Sequence, residues 1–167
     1  MQETKTMANI FSVTAFPKLF SRILNALSFK RESEDDLTIA HREPISRYIF
    51  NKRHFRRLKG TVEYGAFLPN PKNNETSVFR VKGLSEDRIW NIGFNHVAKD
   101  RIESLKSRAD ILSTDISILS DNVLSVVKET SSHKLHANIV GWPSEDHEQI
   151  MLATELANES KLVLPPK

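Results

Sequence analysis

The stretch VLSVVKETSSHKLHANIVGW, residues 123–142, constrains the fold more than any other part of the chain. It holds two strand-like runs, 123–129 and 134–142, joined by the polar turn TSSH. β-Branched residues suit a half-buried pleated surface, and two such runs around a short turn predict an antiparallel hairpin. Gly141, Trp142 and Pro143 stop the second run. Ser144 then caps a helix expected over 144–158. Its first turn carries Glu145, Asp146 and Glu148, where negative charge meets the positive end of the helix dipole.

A similar unit is read upstream. GTVEYGAFLP (60–69) and TSVFRVKG (76–83) are expected as strands of a second hairpin across the loop NPKNNE, with a bulge or close backbone approach at Gly65. Ser85, Glu86 and Asp87 open a helix that runs to about Ala98 and turns Ile89, Trp90, Ile92, Phe94 and Val97 inward. SLKSRADI gives a short strand, and DILSTDISILS reads as a further helix. Pro44 suits a first helical turn, so a short helix is expected over 44–51. Paired strands separated by helices predict an α+β fold: a mainly antiparallel sheet of four to five strands with helices packed on it. The single alternation of strand and helix that a doubly wound parallel sheet needs is not there.

Three regions follow from these readings. Residues 1–36 form an N-terminal amphipathic segment and a charged linker, 37–160 a single α+β domain, and 161–167 a tail. From Met7 to Arg31 there is no Asp or Glu, and Phe20, Ile23, Leu24 and Leu27 fall on one helical face. These four are the candidates for docking on a protein partner; docking on the chain's own domain is the simpler alternative. A basic, acid-poor segment also suits a surface-binding helix or an organelle-targeting sequence over residues 7–31, although Glu3 and the low arginine content speak against targeting. Otherwise the expected location is the cytoplasm. No apolar run reaches the roughly 18 residues that suggest a membrane span.

Composition removes several chemistries. Without cysteine there is no disulfide, no thiolate nucleophile and no Cys-ligated metal. The five glycines form none of the phosphate-cradling patterns, and no His-Glu-x-x-His or Gly-x-Ser-x-Gly is present. His133 and His136 are three apart and should not share a strand face, so neither a metal site nor a cofactor is expected.

Two features carry functional expectations. In the first, His136 and Asn138 project from one face of a strand, and Arg80 sits among apolar residues in SVFRV. If Arg80 shares their face, the three form a cluster able to bind phosphate or carboxylate, with His136 as acid or base. The plainer alternative has Arg80 paired with a helix carboxylate and the other two satisfied by solvent or loop carbonyls. The second is the block 41–60. There Arg42, Arg47, Lys52, Arg53, Arg56, Arg57 and Lys59 oppose Glu43 alone, so it carries +6 while the whole chain carries +3. Tyr48, Phe50 and Phe55 are interleaved with these cations. Arg47, Lys52, Arg53, Arg56, Arg57 and Lys59 are the candidate polyanion contacts, with the aromatics either stacking on bases or buried. Trp142 is read either as a plug at a sheet corner or as an exposed stacking platform.

The motifs SRYIF, GAFLP, ETSVFRVKGLSEDRIWNIG and HANIVGWPSE resemble those of a family of small bacterial proteins, over about residues 44–158. That family has no known activity, so the resemblance implies no catalytic residue. It implies a cytoplasmic bacterial protein and a first 35 residues added to a common domain. The leading expectation is a non-catalytic binding module or accessory subunit that contacts nucleic acid or an acidic protein through a basic surface. The alternative is an enzyme acting on a nucleotide or phosphorylated substrate through Arg80, His136 and Asn138. Oligomeric state is left open.

Overall fold

The segment from Pro44 to Phe50 has apolar residues at positions 45, 48, 49 and 50, a spacing that fits a helix. It is instead a strand, β1 (Pro44–Ile49), in the middle of the sheet. Ile45 and Ile49 face one side of that sheet, Ser46 and Tyr48 the other, and all four are buried. A strand covered on both faces loses the alternation that marks half-buried strands and resembles a helix in sequence. Pro44, whose missing N–H suited a helix start, equally suits the first residue of a strand.

Residues 42–166 are described by the structure, a computed structural model. The expected helix with Phe20, Ile23, Leu24 and Leu27 lies outside the described residues. The fold is α+β, built on a six-stranded antiparallel sheet. After β1 come a short 3-10 turn (Lys52–His54) and a two-stranded ribbon, β2 (Phe55–Arg56) and β3 (Thr61–Val62). A second 3-10 turn (Tyr64–Ala66) precedes β4 (Thr76–Arg80). Helix α1 (Glu86–Ile92) continues as a π-helical turn (Gly93–Val97). Then follow β5 (Ser107–Leu112), α2 (Ser113–Leu119), β6 (Ser125–Lys128), β7 (His136–Val140), α3 (Asp146–Glu159) and β8 (Lys161–Val163). The sheet order is β6-β7-β4-β1-β5-β8.

The hairpin read from residues 123–142 forms as β6 and β7. The other expected hairpin does not. Of the 60–69 stretch only Thr61 and Val62 form a strand, and they pair with β2. β4 pairs with β7 and β1, both distant in sequence. The stretch around Gly65 forms a 3-10 turn because the chain must bend away from the ribbon, and the His54 ring covers Gly65. Lys161–Val163, read as part of a tail, pairs with β5 as the sheet's far edge.

Each face of the sheet has its own core. Ile45, Ile49, Val78, Ala109, Ile111, Ala137 and Ile139 pack against Ile116 of α2 and against Ala153, Leu156 and Ala157 of α3. On the other face Tyr48, Phe79 and Val81 meet Ile89 and Trp90 of α1. An ion cluster around the buried Arg108 ties α1 down. Arg108 of β5 is 1% exposed, lies over the Trp90 ring, and gives its guanidinium to both Asp110 oxygens and to Glu86 Oε1 at 2.8 Å. The two-thirds-exposed Glu86 adds little to stability, while Asp110 fixes the geometry of the buried guanidinium. Ser46 Oγ donates to Asp110 Oδ1, and Tyr48 OH donates to the Ile89 carbonyl, each at 2.5 Å.

Gly93 lets α1 approach this closely. A Cβ there would sit 2.6 Å from Tyr48 Cε1 and 2.7 Å from Leu105 Cδ2. Gly93→Ala is therefore expected to destabilise the domain by about 1–3 kcal/mol through overpacking, read as a lowered urea midpoint with an unchanged slope. An unshifted midpoint would show that α1 does not seat against Tyr48.

Candidate active site

Strand pairing brings three polar side chains into line. On β4, Ser77 and Phe79 alternate with Val78 and Arg80, so Ser77 shares the α1 face with Phe79. The β4–β7 register sets Phe79 opposite His136 and Ser77 opposite Asn138. Ser77 and His136 are thus diagonal neighbours on one face, and Ser77 Oγ lies 2.8 Å from His136 Nε2. On the other side of β7, the β6 ladder extends one residue to Glu129, whose N–H donates to the His136 carbonyl at 3.1 Å. The Glu129 carboxylate folds back so that Oε2 is 2.7 Å from His136 Nδ1.

The tautomer follows from the acceptors. Nδ1 faces Oε2 and, at 3.0 Å, the Glu129 carbonyl oxygen. Both can only accept, so Nδ1 carries a proton, and in the neutral ring Nε2 accepts from Ser77. The carboxylate is itself held. Hydrogen bonds from Ser131, including its N–H to Oε1 at 3.0 Å, and then from His136 keep the Glu129 carboxyl below the usual carboxylate range. The result is a continuous Ser77–His136–Glu129 chain across three adjacent strands. The His136 side chain is 12% exposed, and Glu129 is half-buried at the rim.

The chain opens on a cleft of about 390 Å³ that is also lined by Asn138, Arg47 and Arg101. Asn138 is fixed by donating to Glu75 Oε2 at 2.6 Å. Arg47 is the more constrained cation. The β1–β4 ladder is short, ending at Ser46 opposite Phe79. Beyond it the Arg47 guanidinium bridges to the Ser77 carbonyl and to the Ala66 carbonyl, both at 2.8 Å. Burial, and then the positive charge of Arg101, lower its pKa to about 10, so it remains a cation at neutral pH. Arg101, on the loop after the π-turn, donates to the Val97 carbonyl and stacks 4.4 Å above the Phe50 ring. Among the described residues neither guanidinium forms an ion pair with a carboxylate.

The other candidate residues lie elsewhere. Arg80 is on the opposite face of β4, paired with the buried Glu43 at 3.0 Å, and does not join His136 and Asn138. Arg47 belongs to the cleft rather than to an open basic surface. Lys52, Arg53, Arg56, Arg57 and Lys59 are exposed on the first 3-10 turn and the ribbon, with Arg56 paired to Glu63 at 2.9 Å. Tyr48 and Phe50 are core residues, and Trp142 is buried at the end of β7, so none of these rings is open for base stacking. Among the described residues no group of three or more His, Asp or Glu could hold a metal ion, and no helix is long and apolar enough to cross a membrane. Ser77, Glu129 and Arg101 carried no signal of their own in the sequence. A serine in a strand, a glutamate before a turn and an arginine in a loop become a set only through the register. Compared with protein-family models, with curated proteins and with solved structures, the chain matches none.

Beside the site, Phe79 is surrounded by three imidazoles: His136 at 5.2 Å, His133 at 5.7 Å and His96 at 6.0 Å between ring centres. His96 and His133 are only 4.6 Å apart. Burial first, then the charges of His96, Lys134 and His136, push the His133 pKa below its ordinary 6.5. The unfolded chain therefore binds this proton before the folded one does, so the contribution is intact above pH 6.5 and stability is lost as pH falls below it. Urea midpoints measured between pH 7.5 and 5.5 are expected to decline, and His133→Asn to reduce the slope; equal slopes would refute this.

Proposed function

We propose that the protein is a hydrolase that uses Ser77 as nucleophile, His136 as general base and acid, and Glu129 to orient and stabilise the imidazole. The observation that carries this reading is the Ser77–His136–Glu129 hydrogen-bond chain, with contacts of 2.8 and 2.7 Å, opening on a cleft. Nucleophile, base and orienting acid within hydrogen-bond reach are the recurring signature of an activated serine, and they recur on unrelated folds. In an ester, Ser77 Oγ attacks the carbonyl carbon while its proton passes to His136 Nε2. The tetrahedral adduct collapses with loss of the alcohol, which leaves with that proton. Water then attacks the acyl-serine and gives a proton to His136, and the departing Ser77 oxygen recovers it. Arg47, bonded to the carbonyl of Ser77 itself, holds a fixed positive charge against the nucleophile's strand.

This reading keeps the proton-transfer role expected for His136 and replaces Arg80 with Ser77 and Glu129. Activity against a panel of activated esters is the test. Ser77→Ala and His136→Ala are each expected to lower kcat/KM by about 10³-fold or more, and Glu129→Gln by about 10³–10⁴-fold, with all three variants folded. Full activity in Ser77→Ala would remove the reading.

A second reading rests on a different surface. Lys52, Arg56, Arg57 and Lys59 are exposed around a shallow hollow beside Leu58, which is itself fully exposed, and Arg53 is exposed nearby in sequence. As a polyanion contact this ribbon offers cations around a hollow that the half-buried Phe55 ring also lines, which suits phosphates or an acidic protein face. Binding to an oligonucleotide is expected to weaken steeply with salt, and less steeply after Arg53→Glu and Arg57→Glu. No binding at low salt would exclude the nucleic-acid form of this reading.

A further inference from the structure

We infer that Arg47 and Arg101 together form a receptor for an anionic group on the substrate, so that the site takes esters carrying a carboxylate or a phosphate rather than neutral ones. This rests on the hydrolase reading for the reaction, but the receptor itself stands on separate observations.

Both guanidiniums line the same cleft as Ser77 and His136. They also line a second hollow, of about 220 Å³, on the side of Arg47 that faces His54 and Glu103. The two cations therefore sit between the two hollows and are accessible from both. Elsewhere in the domain the buried Arg108 has Asp110 and Glu86, and the partly buried Arg80 has Glu43. Arg47 has only the carbonyls of Ala66 and Ser77, which orient its guanidinium without neutralising it. Arg101 is held by a carbonyl and an aromatic face, again with no anion. Carboxylates do line the two hollows, but Glu75 Oε2 accepts from Asn138 and Glu129 accepts from His136 and Ser131, and neither these nor Glu103 forms an ion pair with Arg47 or Arg101. Two like charges without a direct counter-ion in a partly desolvated site cost free energy. An anion between them relieves that cost, and a planar guanidinium matches the oxygens of carboxylate and phosphate alike.

The two arginines then have different tasks. Arg47 is fixed by its bonds to the Ser77 and Ala66 carbonyls, so it is the rigid half of the receptor. Arg101 stands on an exposed loop, and removing its charge leaves the Ser77–His136–Glu129 chain untouched. It is the residue that sets preference among substrates.

The test has two arms in the full-length protein. Inorganic phosphate and acetate are titrated by calorimetry into wild type, Ser77→Ala and Arg101→Met. Wild type and Ser77→Ala are expected to bind at least one of the two anions with equal affinity, and Arg101→Met to bind it at least 10-fold more weakly. Which anion binds tells phosphate recognition from carboxylate recognition. In the second arm, a neutral activated ester is compared with its carboxylate-bearing and phosphate-bearing analogues of matched length. Wild type is expected to favour one anionic analogue at least 10-fold in kcat/KM, mostly through KM. Arg101→Met should erase that preference, chiefly by raising KM for the anionic analogue. Anion binding that is unchanged in Arg101→Met, or absent from wild type, overturns the receptor even if esters are hydrolysed. Anion binding with the stated Arg101 dependence, in a protein that hydrolyses no ester, upholds the receptor and overturns the hydrolase.

Discussion

Strand β7 is hydrogen-bonded on both edges, to β4 on one side and β6 on the other, and the Ser77–His136–Glu129 chain depends on those two registers. With Phe79 opposite His136, Ser77 becomes the diagonal neighbour of the imidazole. With Lys128 opposite Ala137, Glu129 falls beside the same imidazole from the other edge. A slip of one residue on either side would send Ser77 or Glu129 to the opposite face. The register resists that slip because the other face is a packed core. Val78, Val126, Ala137 and Ile139 alternate with the site residues and are buried against α2 and α3. Hydrophobic burial on one face thus sets the polar geometry on the other.

The same side chain serves two ends in this domain. Arg108 is surrounded by its own carboxylates and lies on Trp90, which makes it a structural clamp for α1. Arg47 is desolvated without a carboxylate and bonded to the strand that carries Ser77. Net charge does not distinguish the two. What distinguishes them is whether a carboxylate of the chain pairs directly with the guanidinium, as it does for Arg108 and does not for Arg47.

Parts of this were legible in the sequence. The β6–β7 hairpin could be read because its partners are close along the chain and the Gly-Trp-Pro stop is explicit. Asp110 and Arg108 could not be foreseen as a clamp for α1, because β5 read only as a short strand of unknown place. β1 was hidden by burial on both faces, and β8 by its three-residue length, since its pairing with β5 is decided by tertiary contact. At the site, His136 and Asn138 were visible as a same-face pair. Their partners were not, because β4 was expected beside the 60–69 stretch and instead lies between β7 and β1. That single exchange moves Ser77 into the site and leaves Arg80 on the far face with Glu43. Arg47 was grouped with Lys52–Lys59 by composition, although strand geometry separates a half-buried side chain on β1 from exposed ones on the ribbon.

The most direct test of the activated serine is covalent capture. The intact protein is treated with a fluorophosphonate ester, digested, and mapped by mass spectrometry. A phosphonyl adduct on Ser77 is expected in the wild type and expected to disappear in His136→Ala, where the proton acceptor is gone. An unlabelled Ser77 in the wild type, or labelling that survives loss of His136 unchanged, would contradict the account.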